Sequence, residues 1–181
     1  MEKGYYITTN GERIELPSPT KENETLDVSN QNIKELVVPE GVKTVYCYNN
    51  KLTSLELPKG IKYISCDNNQ LTSLILPKEI QKVYCNNNQL TSLKLPEGVK
   101  EVYCNNNQLT SLVLPEGVKE VYCYNNQLSS LELPKGVETV FCDNNQLTSL
   151  VLPNGIKYVC CDIDVDLINL NKKETNIRLY T

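Results

Sequence analysis

Seven of the eight cysteines recur at an interval of 19 residues, and this period is the strongest constraint on the fold. They stand at Cys47, Cys66, Cys85, Cys104, Cys123, Cys142 and Cys161. Prolines keep the same step from Pro39 to Pro153, and glycines keep it from Gly41 to Gly155 with Glu79 as the one replacement. A fixed period near 20 residues is typical of a solenoid, in which each repeat buries its apolar face against its neighbours.

The pattern inside each copy is V-x-x-V-x-C-x-x-N-x-L. In the central copy it is carried by Val99, Val102, Cys104, Asn107 and Leu109. This pattern resembles the leucine-rich repeat signature L-x-x-L-x-L-x-x-N/C-x-L, strongly over residues 42–161 and weakly over 26–38. The short period, with L-x-L-P between the strands, is most similar to the short-repeat leucine-rich proteins known among bacterial effectors.

The resemblance implies a β-rich solenoid, a right-handed leucine-rich-repeat arc or horseshoe with a parallel sheet on its concave side. The V-x-C alternation itself predicts a short strand in each copy, such as 101–105. The proline of L-x-L-P and the polar Q-x-T-S segment leave no room for a helix, so we expect an extended or polyproline-like convex side with little helix. Seven strands at a spacing of ~4.8 Å would make a sheet roughly 30 Å across.

The length indicates a single domain, residues 1–181, in three parts. We expect an N-terminal hairpin cap over 1–24, seven to eight repeats of 19 residues over 25–161, and a C-terminal cap over 162–181. Asn10-Gly11 is a strong signal for a two-residue hairpin turn. It predicts that 5–9 pairs with 12–16, that Ile7 lies opposite Ile14, and that the hairpin covers the first edge of the array.

Beyond Cys161 the spacing shortens by one residue. Ile168 and Leu170 follow Leu150 and Leu152 by 18 positions, and Ile177 and Leu179 follow Val159 and Cys161 by the same step. This spacing predicts a last strand over 177–180 that closes the array.

Composition argues against several classes of function. The net charge is −4 and the chain has no histidine, whereas a nucleic-acid site needs a basic face. No apolar run approaches the ~20 residues of a membrane span, and residues 1–10 lack the core of a signal peptide. We therefore expect a cytoplasmic monomer without cofactor, with export into a host by a route without a cleaved signal left open.

The cysteine column is interpreted as a set of reduced, buried structural thiols. A linear column without histidine or C-x-x-C does not converge on a tetrahedral zinc site, so no metal is expected. Cys160 falls on the outward column, and we expect it to be the one reactive thiol. The asparagine of each copy is expected to point inward and to bond the backbone where the strand ends.

Strand alternation places an aromatic stripe on the outward face of the sheet. The candidate binding residues are Tyr46, Tyr48, Tyr84, Tyr103, Tyr122, Tyr124 and Phe141. Tyrosine is enriched at protein-binding hot spots, but rings one strand apart can also serve only to stiffen a sheet. Both interpretations stay open at this point.

These features predict a non-catalytic scaffold that binds a protein partner on its concave aromatic face. No convergent nucleophile and base and no glycine-rich phosphate loop support catalysis. The alternatives are a carbohydrate-binding module that uses the tyrosine stripe, the substrate-recognition part of an effector or ubiquitin-ligase-like system, and a consensus-like array without a ligand.

Overall fold

The computed structural model describes residues 4–20, 24–170 and 175–180. They form a parallel β-solenoid of about eight turns, and these described ranges include no helix, which confirms the predicted fold class. Residues 1–3, 21–23, 171–174 and 181, which belong to the two predicted caps, lie outside the described residues.

Short strands make up the regular structure. They are β1 (Tyr5–Thr8), β2 (Arg13–Glu15), β3 (Thr25–Asp27), β4 (Ile33–Val37), β5 (Thr44–Tyr46), β6 (Tyr63–Ser65), β7 (Lys82–Tyr84), β8 (Glu101–Tyr103), β9 (Glu120–Tyr122), β10 (Thr139–Phe141), β11 (Ser149–Val151), β12 (Tyr158–Asp162), β13 (Asp166–Ile168) and β14 (Asn176–Tyr180). Most have three residues, so the strand predicted over 101–105 ends two residues early.

Nine of the strands form one parallel sheet, in the order β3-β5-β6-β7-β8-β9-β10-β12-β14. The register repeats the sequence period: Val83 pairs with Val102, and Val102 pairs with Val121. Strands β3 and β14 extend the predicted seven-stranded sheet to roughly 40 Å. We call the outward side of this sheet the concave face and the side that carries the L-x-L-P segments the convex face.

The core is a continuous strip behind the sheet. In the central copy Val99, Val102, Cys104 and Leu109 are fully buried, and Leu112 is 6 % exposed. Burying each large apolar side chain favours folding by about 1.5–3 kcal/mol before the loss of chain entropy. Because each copy packs only against its neighbours, the array is stable as a unit and holds its outward side chains at a fixed spacing.

The asparagine that recurs in each copy bonds the backbone where the strand ends, as predicted. Asn107 Oδ1 accepts the Leu90 N–H at 3.0 Å, and its Nδ2 donates to the carbonyls of Cys85 at 3.0 Å and Cys104 at 3.1 Å. Asn50, Asn69, Asn88, Asn126 and Asn145 make the equivalent bonds. Each of these amides ties two neighbouring copies together where the strands end.

The N-terminal hairpin forms, but two details of its prediction are wrong. Tyr6, not Ile7, lies opposite Ile14, and Ile7 lies opposite Arg13. The loop holds three residues, since Thr8 N–H donates to the Glu12 carbonyl and Gly11 takes the left-handed conformation (φ 90°) that completes such a loop. The hairpin does not extend the concave sheet: β1 pairs antiparallel with β4, on the convex side of the first repeat.

The C-terminal strand is predicted correctly and the segment before it is not. Val159 pairs with Ile177 and Cys161 with Leu179, as the spacing of 18 indicates. Leu150, however, pairs with Leu167 rather than Ile168. The turn after β12 closes with a Val165 N–H to Asp162 carbonyl bond, in place of the longer asparagine turn of the other copies, and shortens this stretch.

Candidate functional site

Tyrosines on neighbouring strands lie directly side by side on the concave face. Tyr84 on β7 pairs with Tyr103 on β8, which pairs with Tyr122 on β9, and Tyr122 pairs with Phe141 on β10. Each of these residues is flanked in sequence by buried residues of the core strip, so its ring has to point away from the core.

The rings form one continuous contact series, which we call the aromatic ladder. It consists of Tyr46, Tyr63, Tyr84, Tyr103, Tyr122 and Phe141. The successive ring centroids are 5.2, 5.3, 4.3, 4.3 and 4.7 Å apart. All six rings are half-buried.

The geometry changes along the aromatic ladder. Tyr103 and Tyr122 are stacked with 10° between their planes, and Tyr122 and Phe141 with 16°. From Tyr46 to Tyr103 the neighbouring planes are tilted by 49–68°. The central rings therefore cover one another's faces and present their edges and hydroxyl groups to solvent.

Two glutamates fix the hydroxyl groups of the central rings. Tyr84 Oη donates to Glu101 Oε2 at 3.1 Å, and Tyr103 Oη donates to Glu120 Oε2 at 2.8 Å. Burial and then these carboxylates raise the pKa of Tyr84 and of Tyr103 well above the ordinary value. Both tyrosines are accordingly neutral hydrogen-bond donors across the physiological pH range.

The structure brings together five of the seven candidate binding residues. Tyr48 and Tyr124 lie one column to the side, and neither is among the ring contacts of the described residues. Tyr63 was missed: it fills the gap that Ser65 leaves between Tyr46 and Tyr84, and burial raises its pKa to about 12. The signal was present in the sequence, because a small residue in the central column stands two positions after a tyrosine on the same face.

The prediction that Cys160 is reactive is wrong. It does occupy the outward column, opposite Phe141 on β10 and Arg178 on β14, but it is fully buried. Burial, followed by its hydrogen bond with Asp143, raises the pKa of the Cys160 thiol to about 12. A thiol in this state carries almost no thiolate at neutral pH and is a poor nucleophile.

The other thiols are buried as well, and all eight are free. Burial raises the pKa of Cys104 to about 12 and that of Cys161 to about 11. The described residues contain no group of three or more histidine, cysteine, aspartate or glutamate side chains placed to hold a metal ion. In the described ranges no helix is long and apolar enough to cross a membrane.

The convex face is less regular. The central residue of its L-x-L segment alternates between charged and apolar types, and Ile75 and Val113 are 82 % and 81 % exposed. Isolated parallel bridges join Val37 to Glu56 and Lys94 to Val113. Grooves between copies, such as the one beside Leu95 and Leu114, are shallow and open.

Solved bacterial effector structures are similar to this chain. YopM, a leucine-rich effector protein from Yersinia pestis, is 28 % identical over 88 % of this chain, with a TM-score of 0.77. The chain spans 49 % of that YopM structure, about half its length.

Two further structures support the fold alone. The leucine-rich repeat domain of a Shigella effector is 22 % identical, over 88 % of this chain and 81 % of that one, with a TM-score of 0.72. YopM from Yersinia enterocolitica is 20 % identical, over 91 % of this chain and 48 % of that one, with a TM-score of 0.65. No curated protein sequence gives a significant match.

A family model matches almost the whole chain. The model describes the BspA-type leucine-rich repeat region, and its six copies match residues 2–85, 28–126 and 78–178. These ranges overlap and include every strand of the nine-stranded sheet except the last residues of β14. The chain belongs to the BspA-type leucine-rich repeat family.

Proposed function

We propose that this protein is a non-catalytic scaffold that binds another protein on its concave face, with the aromatic ladder as the centre of the contact. The observation that carries the proposal is the continuity of the six half-buried rings across neighbouring strands. YopM from Yersinia pestis, which is 28 % identical to this chain, is a leucine-rich effector protein, and this likeness supports a role in recognition.

The aromatic ladder suits protein binding because its rings are already ordered. Stacking and the Tyr84–Glu101 and Tyr103–Glu120 hydrogen bonds fix the central side chains before any partner arrives. Binding therefore costs little further side-chain entropy. Tyrosine offers a large apolar surface together with a polar group, and residues of this kind dominate binding energy at protein interfaces.

Carbohydrate binding fits this arrangement less well. A sugar ring stacks on an open aromatic face. Tyr103 and Tyr122 each have a neighbouring ring on both sides, at 4.3–4.7 Å, so their faces are not open. A ligand at the middle of the aromatic ladder meets ring edges and hydroxyl groups instead.

The chemistry of the site does not favour catalysis. The chain has no histidine, and the buried thiols have raised pKa values. The hydroxyl groups of Tyr84 and Tyr103 already donate to carboxylates.

We propose that the protein acts as a monomer inside a cell, either the cell that makes it or a host.

A comparative pull-down tests the proposal. Three baits are compared in lysate of the source organism and of any host: the wild type, a concave variant with Tyr84→Ala, Tyr103→Ala and Tyr122→Ala, and a convex control with Ile75→Ala, Val113→Ala and Val151→Ala. Circular dichroism establishes that each bait is folded. We expect a protein that the wild type and the convex control retain and the concave variant loses.

The opposite pattern, or equal retention on all three folded baits, would contradict partner binding at the concave face. Retention that disappears after enzymatic removal of glycans would favour the carbohydrate alternative. Retention of no protein on any bait would leave the array without a partner and would contradict the proposal.

A further inference from the structure

The charge on the concave face is unbalanced. Its outward positions carry six carboxylates and two cations among the described residues. The carboxylates are Asp27, Asp67, Glu101, Glu120, Asp143 and Asp162, and the cations are Lys82 and Arg178. Lysines instead stand at the edge of the sheet, in the turn before five of its nine strands; two of them, Lys119 and Lys157, contact Glu138 there.

Glu101 and Glu120 are a like-charged pair. The register places them directly opposite each other on β8 and β9, at the spacing of neighbouring strands, about 4.8 Å. Like charges in this arrangement destabilise a sheet. Lys82 Nζ lies 2.7 Å from Glu101 Oε1 and neutralises that member of the pair.

Glu120 has no ion pair of its own among the described residues, and Lys82 acts on it only from a longer distance. It accepts the Tyr103 hydroxyl, and no cation of the described residues lies within 4.0 Å of it. The half-buried Glu120 carboxylate therefore stands beside a second carboxylate and against the edge of the aromatic ladder. A cation supplied from outside the chain would relieve the repulsion and gain a charge-assisted hydrogen bond.

Two more carboxylates lie at the far flank of the aromatic ladder, where Asp162 is half-buried and Asp143 is buried. Asp143 and Asp162 occupy equivalent positions of neighbouring copies, beyond Phe141 and Cys160. Asp162 accepts the Asn144 N–H at 2.7 Å, and Asp143 accepts the Asn144 side-chain amide at 3.1 Å. Both partners are neutral, and Arg178, the nearest cation in the register, has its guanidinium over the Tyr180 ring at 4.9 Å.

We propose that the partner bound at this face is an extended polypeptide segment that carries arginine side chains along the aromatic ladder. This inference rests on the proposed function and specifies the chemistry of its partner. A guanidinium group matches the site because it bonds a carboxylate with two parallel N–H groups and has further N–H groups to donate to the tyrosine hydroxyl oxygens at the ring edges. From Tyr46 to Phe141 the ladder crosses six strands, about 25 Å, which an extended segment of about eight residues spans.

Fluorescein-labelled peptides of about ten residues, matched to this span, test the proposal. All share a Gly-Ser-Leu background and carry arginine, citrulline or glutamate at every second position. Citrulline keeps the shape of arginine and removes its charge. We expect the arginine peptide to bind, by fluorescence anisotropy, at least about tenfold more tightly than the citrulline peptide, and the glutamate peptide to bind most weakly.

Matched variants place the contact on the surface. The glutamate variant carries Glu101→Gln and Glu120→Gln, which keep an acceptor for each tyrosine hydroxyl. The matched charge control carries Glu116→Gln and Glu132→Gln, two exposed positions outside the concave face, and loses the same charge. The glutamate variant should bind the arginine peptide about tenfold more weakly, and the charge control should bind it like the wild type.

Four results would overturn the inference. They are equal binding of the arginine and citrulline peptides, equal effects of the two double variants, no binding of the arginine peptide at about 1 mM, and tighter binding of the glutamate peptide, which would point to the lysines at the sheet edge.

The pull-down separates this failure from that of the proposed function. A partner lost on Tyr84→Ala, Tyr103→Ala and Tyr122→Ala whose binding segment lacks arginine refutes only the present inference.

Discussion

Raising the pH to about 10 is expected to unfold the protein, because ionised thiols cannot be accommodated in its core. All eight thiols are at most 1 % exposed: Cys47, Cys66, Cys85, Cys104, Cys123, Cys142, Cys160 and Cys161. Burial raises the pKa of each above the ordinary value of 9.0, to about 12 for Cys104 and about 11 for Cys161. The native state keeps these protons while the unfolded chain loses them. Stability is therefore fully present below pH 9.0 and falls as the pH rises towards the native pKa values.

The magnitude is large because the effect repeats in every copy. At pH 10 an unfolded thiol with a pKa of 9.0 is stabilised by about 1.4 kcal/mol through ionisation, and eight thiols give about 11 kcal/mol. The free energy of unfolding of a protein is usually about 5–15 kcal/mol. We therefore expect unfolding at 25 °C to set in near pH 10, where the four tyrosines with a raised native pKa add about 0.4 kcal/mol each.

The assay is urea unfolding followed by circular dichroism at a series of pH values from 7 to 10, with a reductant present. The control is a variant with Cys85→Ala, Cys104→Ala and Cys123→Ala. Cavities make it less stable at pH 7, but its loss of stability between pH 7 and 10 should be smaller than that of the wild type by about 4 kcal/mol, the contribution of three thiols. A wild-type free energy of unfolding that stays constant to pH 10 would refute the reasoning. So would an equal loss in the triple variant.

Three further predictions address single features. A thiol reagent should label none of the eight cysteines of the native protein, Cys160 included, and all eight in denaturant. Rapid labelling of Cys160 in the native protein would contradict its burial. Asn107→Ala should lower the free energy of unfolding by about 3 kcal/mol, because it leaves the Leu90 N–H and two strand-end carbonyls without their partner, whereas the exposed neighbour Gln108→Ala should change it by less than about 0.5 kcal/mol. Glu120→Gln should raise the free energy of unfolding by about 0.5 kcal/mol by removing the repulsion with Glu101, and a loss of stability in urea titration would show that the pair is not under strain.

The repeat period predicts most of the fold because every copy repeats the same local demands. Val102 and Cys104 have to face the core, Asn107 has to bond the strand end, and the proline excludes a helix. The ends of the array are predicted less well, since their loops differ from the repeat. Asn10-Gly11 indicates a hairpin, but the loop length of three residues, and with it the pairing of Tyr6 with Ile14, depends on contacts that the dipeptide does not specify.

The sequence predicts which face of the sheet the side chains of the candidate site lie on, but not which other residues they contact. Alternation places Tyr84, Tyr103 and Tyr122 on the outward face, and it also places Cys160 there. Whether an outward side chain is exposed depends on what covers it, and Cys160 is buried beside Asp143 in the loop after β10 and opposite Arg178 on β14. Tyr63 joins the aromatic ladder because its side chain reaches across Ser65. Assigning each residue to a column by strand alternation does not predict a contact between side chains of different columns.

Hydroxyl-radical footprinting of the protein with and without its captured partner tests the central claim most directly. Oxidation is measured by mass spectrometry at the aromatic ladder, at the exposed convex residues Ile75 and Val113, and at Tyr5 of the N-terminal hairpin as a reference. We predict that the partner protects Tyr84, Tyr103 and Tyr122 and leaves the convex residues and Tyr5 unchanged. Protection of Ile75 and Val113 with an unchanged aromatic ladder would contradict the account and would assign recognition to the convex face.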